Sequence, residues 1–242
     1  MKFHKLMNKN KLILIVLFAL PIVAYLIFAS AEHNSLFLPT ISKNNQELPD
    51  NWESLRGKPV ALKGKITVLG FPGDSIMEVK GNLFNLNQKI YNKYFGFKDF
   101  QMVMVMPKGS EEDCKEILRK LSAVTEDLSG WNFVFTTPDS IKQYFDTFHF
   151  VEGLDNTSGT PSVFIIDKEL SLRGRKGKNK KGEEEFRESY NTVSAADLHN
   201  EMSDDVKILL REYRLALKRN HNQRKDEFRD KISEGVETGL NK

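Results

Sequence analysis

The chain has 242 residues and a mass of 27.8 kDa, with 40% hydrophobic and 29% charged residues. Those proportions fit one globular domain with appendages, and they exclude a collagen-like, wholly disordered or multi-span membrane protein. The 36 Lys and Arg against 33 Asp and Glu leave a formal charge of +3, too near balance for bulk nucleic-acid binding, which needs a strongly cationic face.

One cysteine, Cys114, is present. A single thiol excludes an internal disulfide, a CxxC redox pair and a Cys-rich zinc site. At the start of the chain Lys2, Lys5, Lys9 and Lys11 precede an apolar run from Leu12 to Ala29, broken chemically only by Pro21 and Tyr25. About 20 residues of helix cross a bilayer, so Leu12–Ala31 reads as a single membrane-spanning anchor. The lysines then stay cytoplasmic and the remainder lies on the extracytoplasmic, periplasmic side. Ala29-Ser30-Ala31 also reads as a cleavage site, which makes secretion after signal cleavage the alternative. No Cys follows the run, which excludes lipoprotein processing. The expected organisation is anchor or uncleaved signal over 1–31, polar tether over 32–56, folded domain over 57–219 and polar tail over 220–242.

Within the folded part Ile66–Phe71 reads as a buried strand ending at Pro72-Gly73. Ile76, Val79, Leu83, Leu86, Ile90, Tyr91 and Tyr94 recur at helical spacing and predict a helix from about Ser75 to Phe95. Phe100–Met106 is a second strand. Ser110 with Asp113 looks like a capping box, opening a helix whose face is Cys114, Ile117, Leu118, Leu121 and Val124. Trp131, Phe133 and Phe135 alternate as a third strand, and Thr137-Pro138 starts a short helix bearing Ile141, Tyr144, Phe145 and Phe148. Ser162–Ile166 is a fourth strand, Asp167–Glu169 a turn and Leu170–Arg173 a fifth strand. Ser194 then caps the longest helix, with Leu198, Met202, Val206, Leu209, Leu210, Tyr213 and Leu217 on one face. Strand–helix–strand units make a parallel sheet, and the close final pair adds antiparallel strands, an α/β class with a central mixed sheet flanked by helices.

This order resembles the thioredoxin superfamily, and the run GTPSVFIIDKEL (Gly159–Leu170) resembles the segment in which that family places a cis-proline before an edge hairpin. With the tether and the long last helix, the chain is most similar to the Sco/SenC branch of copper-delivery proteins or to TlpA-like tethered thioredoxins, over roughly residues 55–217. The resemblance implies a thioredoxin-like fold with an N-terminal transmembrane helix, a cis Pro161 beside the Pro72–Ser75 turn, and chemistry at that turn. There a thiolate gains from the helix dipole. The two cysteines of a Sco-type C-x-x-x-C fall on Asp74 and Glu78, and the ligand histidine falls within Asp155–Thr160 (DNTSGT), which has none.

Other candidates have a plainer and a functional reading. Asp74 is a helix cap or, with Glu78, half of a hard-metal site lacking a third ligand. Cys114 sits on an apolar stripe and reads as core packing. Met102, Met104 and Met106 share a strand face as core or as soft Cu(I) donors. His149, between Phe148 and Phe150, reads as a helix end, and the five histidines show no ligand spacing. Arg173, Arg175, Lys176, Lys178, Lys180 and Lys181 form a cationic run followed by Glu183–Glu185, either a self-paired solvated hairpin or a contact for anionic headgroups. No catalytic, cofactor or metal residue is therefore assigned, and no enzyme activity or cofactor. The expected function is that of a membrane-tethered binding or assembly factor with a degenerate site. Its partners are the membrane through Leu12–Ala31 and an envelope or respiratory-complex protein, with no nucleic acid. Copper delivery through substitute ligands is the alternative, and a thiol oxidoreductase through Cys114 a third.

Overall fold

The computed structural model describes residues 13–15, 17–23, 37–179 and 181–218. They fall in two units, Met1–Leu36 and Phe37–Lys242. In the first unit residues 13–15 and 17–23 are helical, with large apolar side chains such as Ile13 and Phe18 exposed. Among the described residues no helix is long and apolar enough to cross a membrane. Of the expected span Leu12–Ala31 only residues 13–15 and 17–23 are among those described, and the expected tail 220–242 lies wholly outside them.

The second unit is built on a mixed sheet. Its strands are β1 (Thr40–Ser42), β2 (Glu53–Ser54), β3 (Ile66–Pro72), β4 (Phe100–Pro107), β5 (Trp131–Thr136), β6 (Gly159–Ile166), β7 (Leu172–Arg173) and β10 (Tyr190–Asn191), while β8 (Arg175–Lys178) and β9 (Glu184–Arg187) form a separate hairpin. Spatial order is β1-β7-β6-β3-β4-β5-β2, with β10 also paired to β6. β3, β4 and β5 run parallel and β6 is antiparallel to β3, the mixed arrangement that the sequence predicts.

The helices cover both faces. α1 runs through Lys80–Leu86, a wide turn Asn87–Tyr91 and Asn92–Tyr94. α2 is Glu111–Leu121 and α3 is Pro138–Asp146. α4 comprises Ala195–Asp197, a second wide turn Leu198–Met202 and residues 203–218. Alternation along the strands sends Val68, Met102, Met104, Phe133 and Ile165 into one core with α1, α2 and α4. Leu69, Phe71, Val103, Val105 and Phe164 go into a second core with α3. Side chains of a strand point to opposite faces in turn, so strands packed on both faces read as continuous apolar runs.

Several expectations are corrected. Residues 37–56 are part of the domain and not a tether. Leu38 and Leu48 are buried, β1 pairs with β7 and β2 with β5, and the Glu47 carboxylate accepts from the Leu62 and Lys63 amides at 2.7 Å each. The helix predicted from Ser75 begins at Lys80, because Ser75–Val79 makes its own turn: Glu78 N–H donates to Ser75 O at 2.9 Å, and Ile76 is fully buried. Ser110 does not cap α2. Its φ of −92° and ψ of 7° are not the extended cap conformation, and Glu111 instead accepts from Gly109 N–H at 2.9 Å. Val124 lies beyond the helix end and is exposed. Thr137 and Ser194 do cap, accepting from Ser140 N–H at 3.3 Å and Asp197 N–H at 3.1 Å. Among the described residues no peptide bond is cis. Pro161 instead lies within β6 as part of the extended strand, held by Gly159 pairing with Pro72 and by Thr192 N–H donating to the Pro161 carbonyl at 2.9 Å.

Candidate functional site

Two loops meet where β3 ends and β6 begins. Gly73 has φ +81°, a conformation open to glycine at little cost, and it turns the chain out of the sheet. Asp155–Gly159 comes in from the other side. The Asp155 carboxylate holds that loop in one shape, its Oδ1 accepting from Thr157 N–H at 2.8 Å, Thr157 Oγ1 at 2.6 Å and Gly159 N–H at 2.9 Å. Partial burial pushes the Asp155 pKa up, but the Thr157 and Gly159 hydrogen bonds outweigh it and hold the carboxyl below its usual range. Asp74 N–H donates to Thr157 O at 3.2 Å and ties the loops together.

Beside this junction lies a cavity of about 310 Å³. It exists for two local reasons. Gly70 carries no side chain, so Met104 from β4 comes over it. A Cβ built on Gly70 falls 2.7 Å from Met104 Sδ and 3.2 Å from Val163 Cγ1. The late start of α1 then leaves Ser75, Glu78 and Val79 to form one wall together with Asn82 from the helix's first turn. Met104, Leu83 and Val163 supply the apolar part, while Asp155, Thr157 and Thr160 face them. Pro161, Thr192 and Val193 complete the lining.

The structure brings the candidate residues together only in part. Glu78 and the Asp155–Thr160 loop share the cavity, as the resemblance implies for a turn and a ligand loop. Asp74 is exposed beside it and caps no helix. Its carboxylate accepts from Ser75 Oγ at 2.9 Å, six residues before α1 begins. Of the three thioethers, all fully buried, Met104 alone lines the cavity, and Met102 and Met106 stay in the core. Cys114 is buried on α2, away from the lining, and burial pushes its pKa up to about 12. His149 is exposed after α3 with φ +55°, the helix-end role. Among the described residues no three His, Cys, Asp or Glu side chains converge as a metal site.

The cationic run does not form one patch. Arg173 is buried against Asp167 at 3.0 Å and Glu212 at 2.6 Å. Arg175 is turned onto Asp205 at 2.8 Å, with Glu185 at 3.2 Å and Glu201 also paired. Lys176, Lys178 and Lys181 are exposed on the β8–β9 hairpin, whose halves pair with one another, while Lys180 lies outside the described residues. Gly70 was the readable sign of the cavity: a glycine inside an otherwise apolar strand marks close approach of another group.

This sheet order, with a strand–helix turn set against the loop that enters β6, defines a thioredoxin-like α/β protein. No family model matches the sequence, and no curated protein matches it. Among solved structures, the chain is similar to a SCO1/SenC family lipoprotein from Bacillus anthracis str. Ames, with TM-score 0.52, 19% identity, and coverage of 72% of this chain and 99% of that one. A putative protein disulfide isomerase from Bacteroides thetaiotaomicron gives TM-score 0.47 at 13% identity, covering 73% and 95%. Copper-bound ScoI from Arabidopsis thaliana gives 0.41 at 14%, covering 71% and 99%. The resemblance read from the sequence is borne out at the level of fold. The chain carries a Sco-like thioredoxin fold with a single cysteine.

Proposed function

We propose that this protein is a membrane-tethered, extracytoplasmic thioredoxin-like domain that works by binding a partner and not by thiol or copper chemistry. The observation that carries the reading is the content of the cavity at the β3–α1 turn. It offers Glu78, Asp155 and one thioether, while the chain's single thiol is buried elsewhere with its proton held to about pH 12. Dithiol exchange needs an attacking and a resolving thiol, and attack needs the thiolate. Soft Cu(I) prefers thiolate and thioether donors, so one Met104 among carboxylate oxygens is a poor set. The junction of the Gly73 and Asp155–Gly159 loops supports a docking role, since hydrogen bonds within the protein itself, Asp74 N–H to Thr157 O and Gly159 N–H to Asp155 Oδ1, set its shape.

Tethering is supported by the apolar run Leu12–Ala29 behind four lysines and by the exposed apolar side chains of the helical residues 13–15 and 17–23. A helix apolar on all sides belongs in lipid or in a protein core. The expected partner is an envelope or respiratory-complex protein. The test combines two assays. The purified full chain in detergent is expected to leave insulin disulfides intact in the presence of dithiothreitol beyond the reagent's own rate. An export-dependent reporter fused after Glu32 is expected to be active. Catalysed insulin reduction, or activity of a cytoplasm-only reporter at that site, contradicts the reading.

A further inference from the structure

The cavity beside the Gly73 turn has a distinct chemical polarity. Its inner wall is aliphatic and sulfur, from Leu83, Met104 and Val163. Among the described residues its lining carries two carboxylates, Glu78 and Asp155, and no Lys, Arg or His. Glu78 is exposed and makes no ion pair among the described residues, and Asp155 spends only Oδ1 on its own loop. At about 310 Å³ the cavity stands at the lower end of ligand-binding clefts, roughly 300–1,000 Å³. That size suits one long side chain better than a cofactor.

We propose that the cavity receives a primary alkylammonium group, the chemistry of a lysine side chain, presented by a partner polypeptide. A four-carbon stem lies along apolar surface while its ammonium head seeks anionic oxygen, which is how lysine partitions at protein surfaces. The stem lies along the accessible apolar lining, Val79, Pro161 and Val193, above the buried Met104 and Val163, and the head sits between Glu78 and Asp155. Neutral polar ligands leave both carboxylates unanswered, and anionic ligands meet two like charges. The polypeptide source follows from the mouth. Pro161 is exposed and Val193 is 60% exposed at its rim, apolar surface that the residues flanking an inserted lysine would cover.

This inference rests on reading the domain as a binding module. The test uses the full chain in detergent micelles, labelled with methyl-13C methionine, whose 7 methionines give resolvable signals. The Met104 signal is identified by its loss in Met104→Leu. The probes are the peptides Ac-Gly-Lys-Gly-amide, its norleucine analogue and its glutamate analogue, together with n-butylamine. The lysine peptide is expected to shift the Met104 methyl saturably, and Glu78→Gln to weaken it about two- to fivefold, the range of an exposed ion pair. Raised salt should weaken it as well. A norleucine or glutamate peptide that shifts Met104 as strongly overturns the proposal. So does a Met104 signal that no amine moves, and n-butylamine binding tighter than the peptide overturns the polypeptide source. Catalysed disulfide reduction would instead sink the binding-module reading itself. An unmoved Met104 with no such activity sinks this inference alone.

Discussion

Gly73 and Gly159 stand back to back where β3 meets β6: a Cβ built on either lies 3.1 Å from the Cα of the other. A Cβ on Gly73 also falls 2.6 Å from Thr157 Oγ1, and the φ of +81° is strained for any side chain. The two loops that frame the cavity can meet only because neither residue has a Cβ. Gly73→Ala is therefore expected to destabilise the domain by about 2–3 kcal/mol, seen as a lower urea midpoint at unchanged slope. Gly81→Ala, in α1 with open space around the new methyl, should stabilise by about 0.5–1 kcal/mol. Equal effects at the two sites would contradict the junction as described.

Arg173 and Glu212 join the segment leading into β1 to α4 through one residue, Leu38. The guanidinium donates to the Leu38 carbonyl at 3.1 and 2.5 Å, and Glu212 accepts from the Leu38 amide at 2.7 Å. Arg173→Leu leaves the Asp167 and Glu212 carboxylates without their cation, a loss expected to cost about 3–5 kcal/mol. The double variant Arg173→Leu/Glu212→Leu should cost less than the sum of the singles, because the charge stranded by one change is removed by the other. Additive costs measured by denaturant titration would show that the pair is not coupled.

The burial of Cys114 has a pH signature. The native thiol keeps its proton to about pH 12, against 9.0 for the unperturbed group. Between those values the native state binds more protons than the unfolded chain. The thiol's contribution to stability is thus complete below pH 9.0 and is lost as pH rises through about 12. In practice the native protein at pH 8 should leave Cys114 unmodified by iodoacetamide while the urea-unfolded chain is alkylated quickly. Rapid alkylation of the folded protein would contradict a sealed thiol.

The long apolar strands were legible because burial on both faces makes a continuous run, as in FQMVMV, whose residues are all buried. β1, β2, β7 and β10 were hidden or only partly seen: each has two or three residues, several polar, and exists through pairing with a distant partner such as Tyr190 with Val163. Leu38 lies in the short run Leu36-Phe37-Leu38, too brief to show a strand or helix period, and Leu48 is an isolated apolar residue among polar ones, so the stretch looks like a tether. Arg173 and Arg175 looked like surface charge because their counter-ions Glu212 and Asp205 come from α4, some thirty residues or more along the chain. At the site, the turn and the DNTSGT loop were placed by resemblance. That Met104, and neither Met102 nor Met106, lines the cavity depends on the missing side chain of Gly70 on the neighbouring strand.

The central claim, a Sco-like fold that binds a partner without holding copper, is tested most directly by copper stoichiometry. The purified full chain in detergent is equilibrated with Cu(I) under reducing conditions against excess bicinchoninate, and retained metal is measured after desalting. Soft Cu(I) should pass to the chelator and leave well under one equivalent on the protein, with Asp74→Ala, Glu78→Ala and Met104→Leu indistinguishable from the unaltered chain. One equivalent of copper retained, and lost in any of those three variants, would contradict the account.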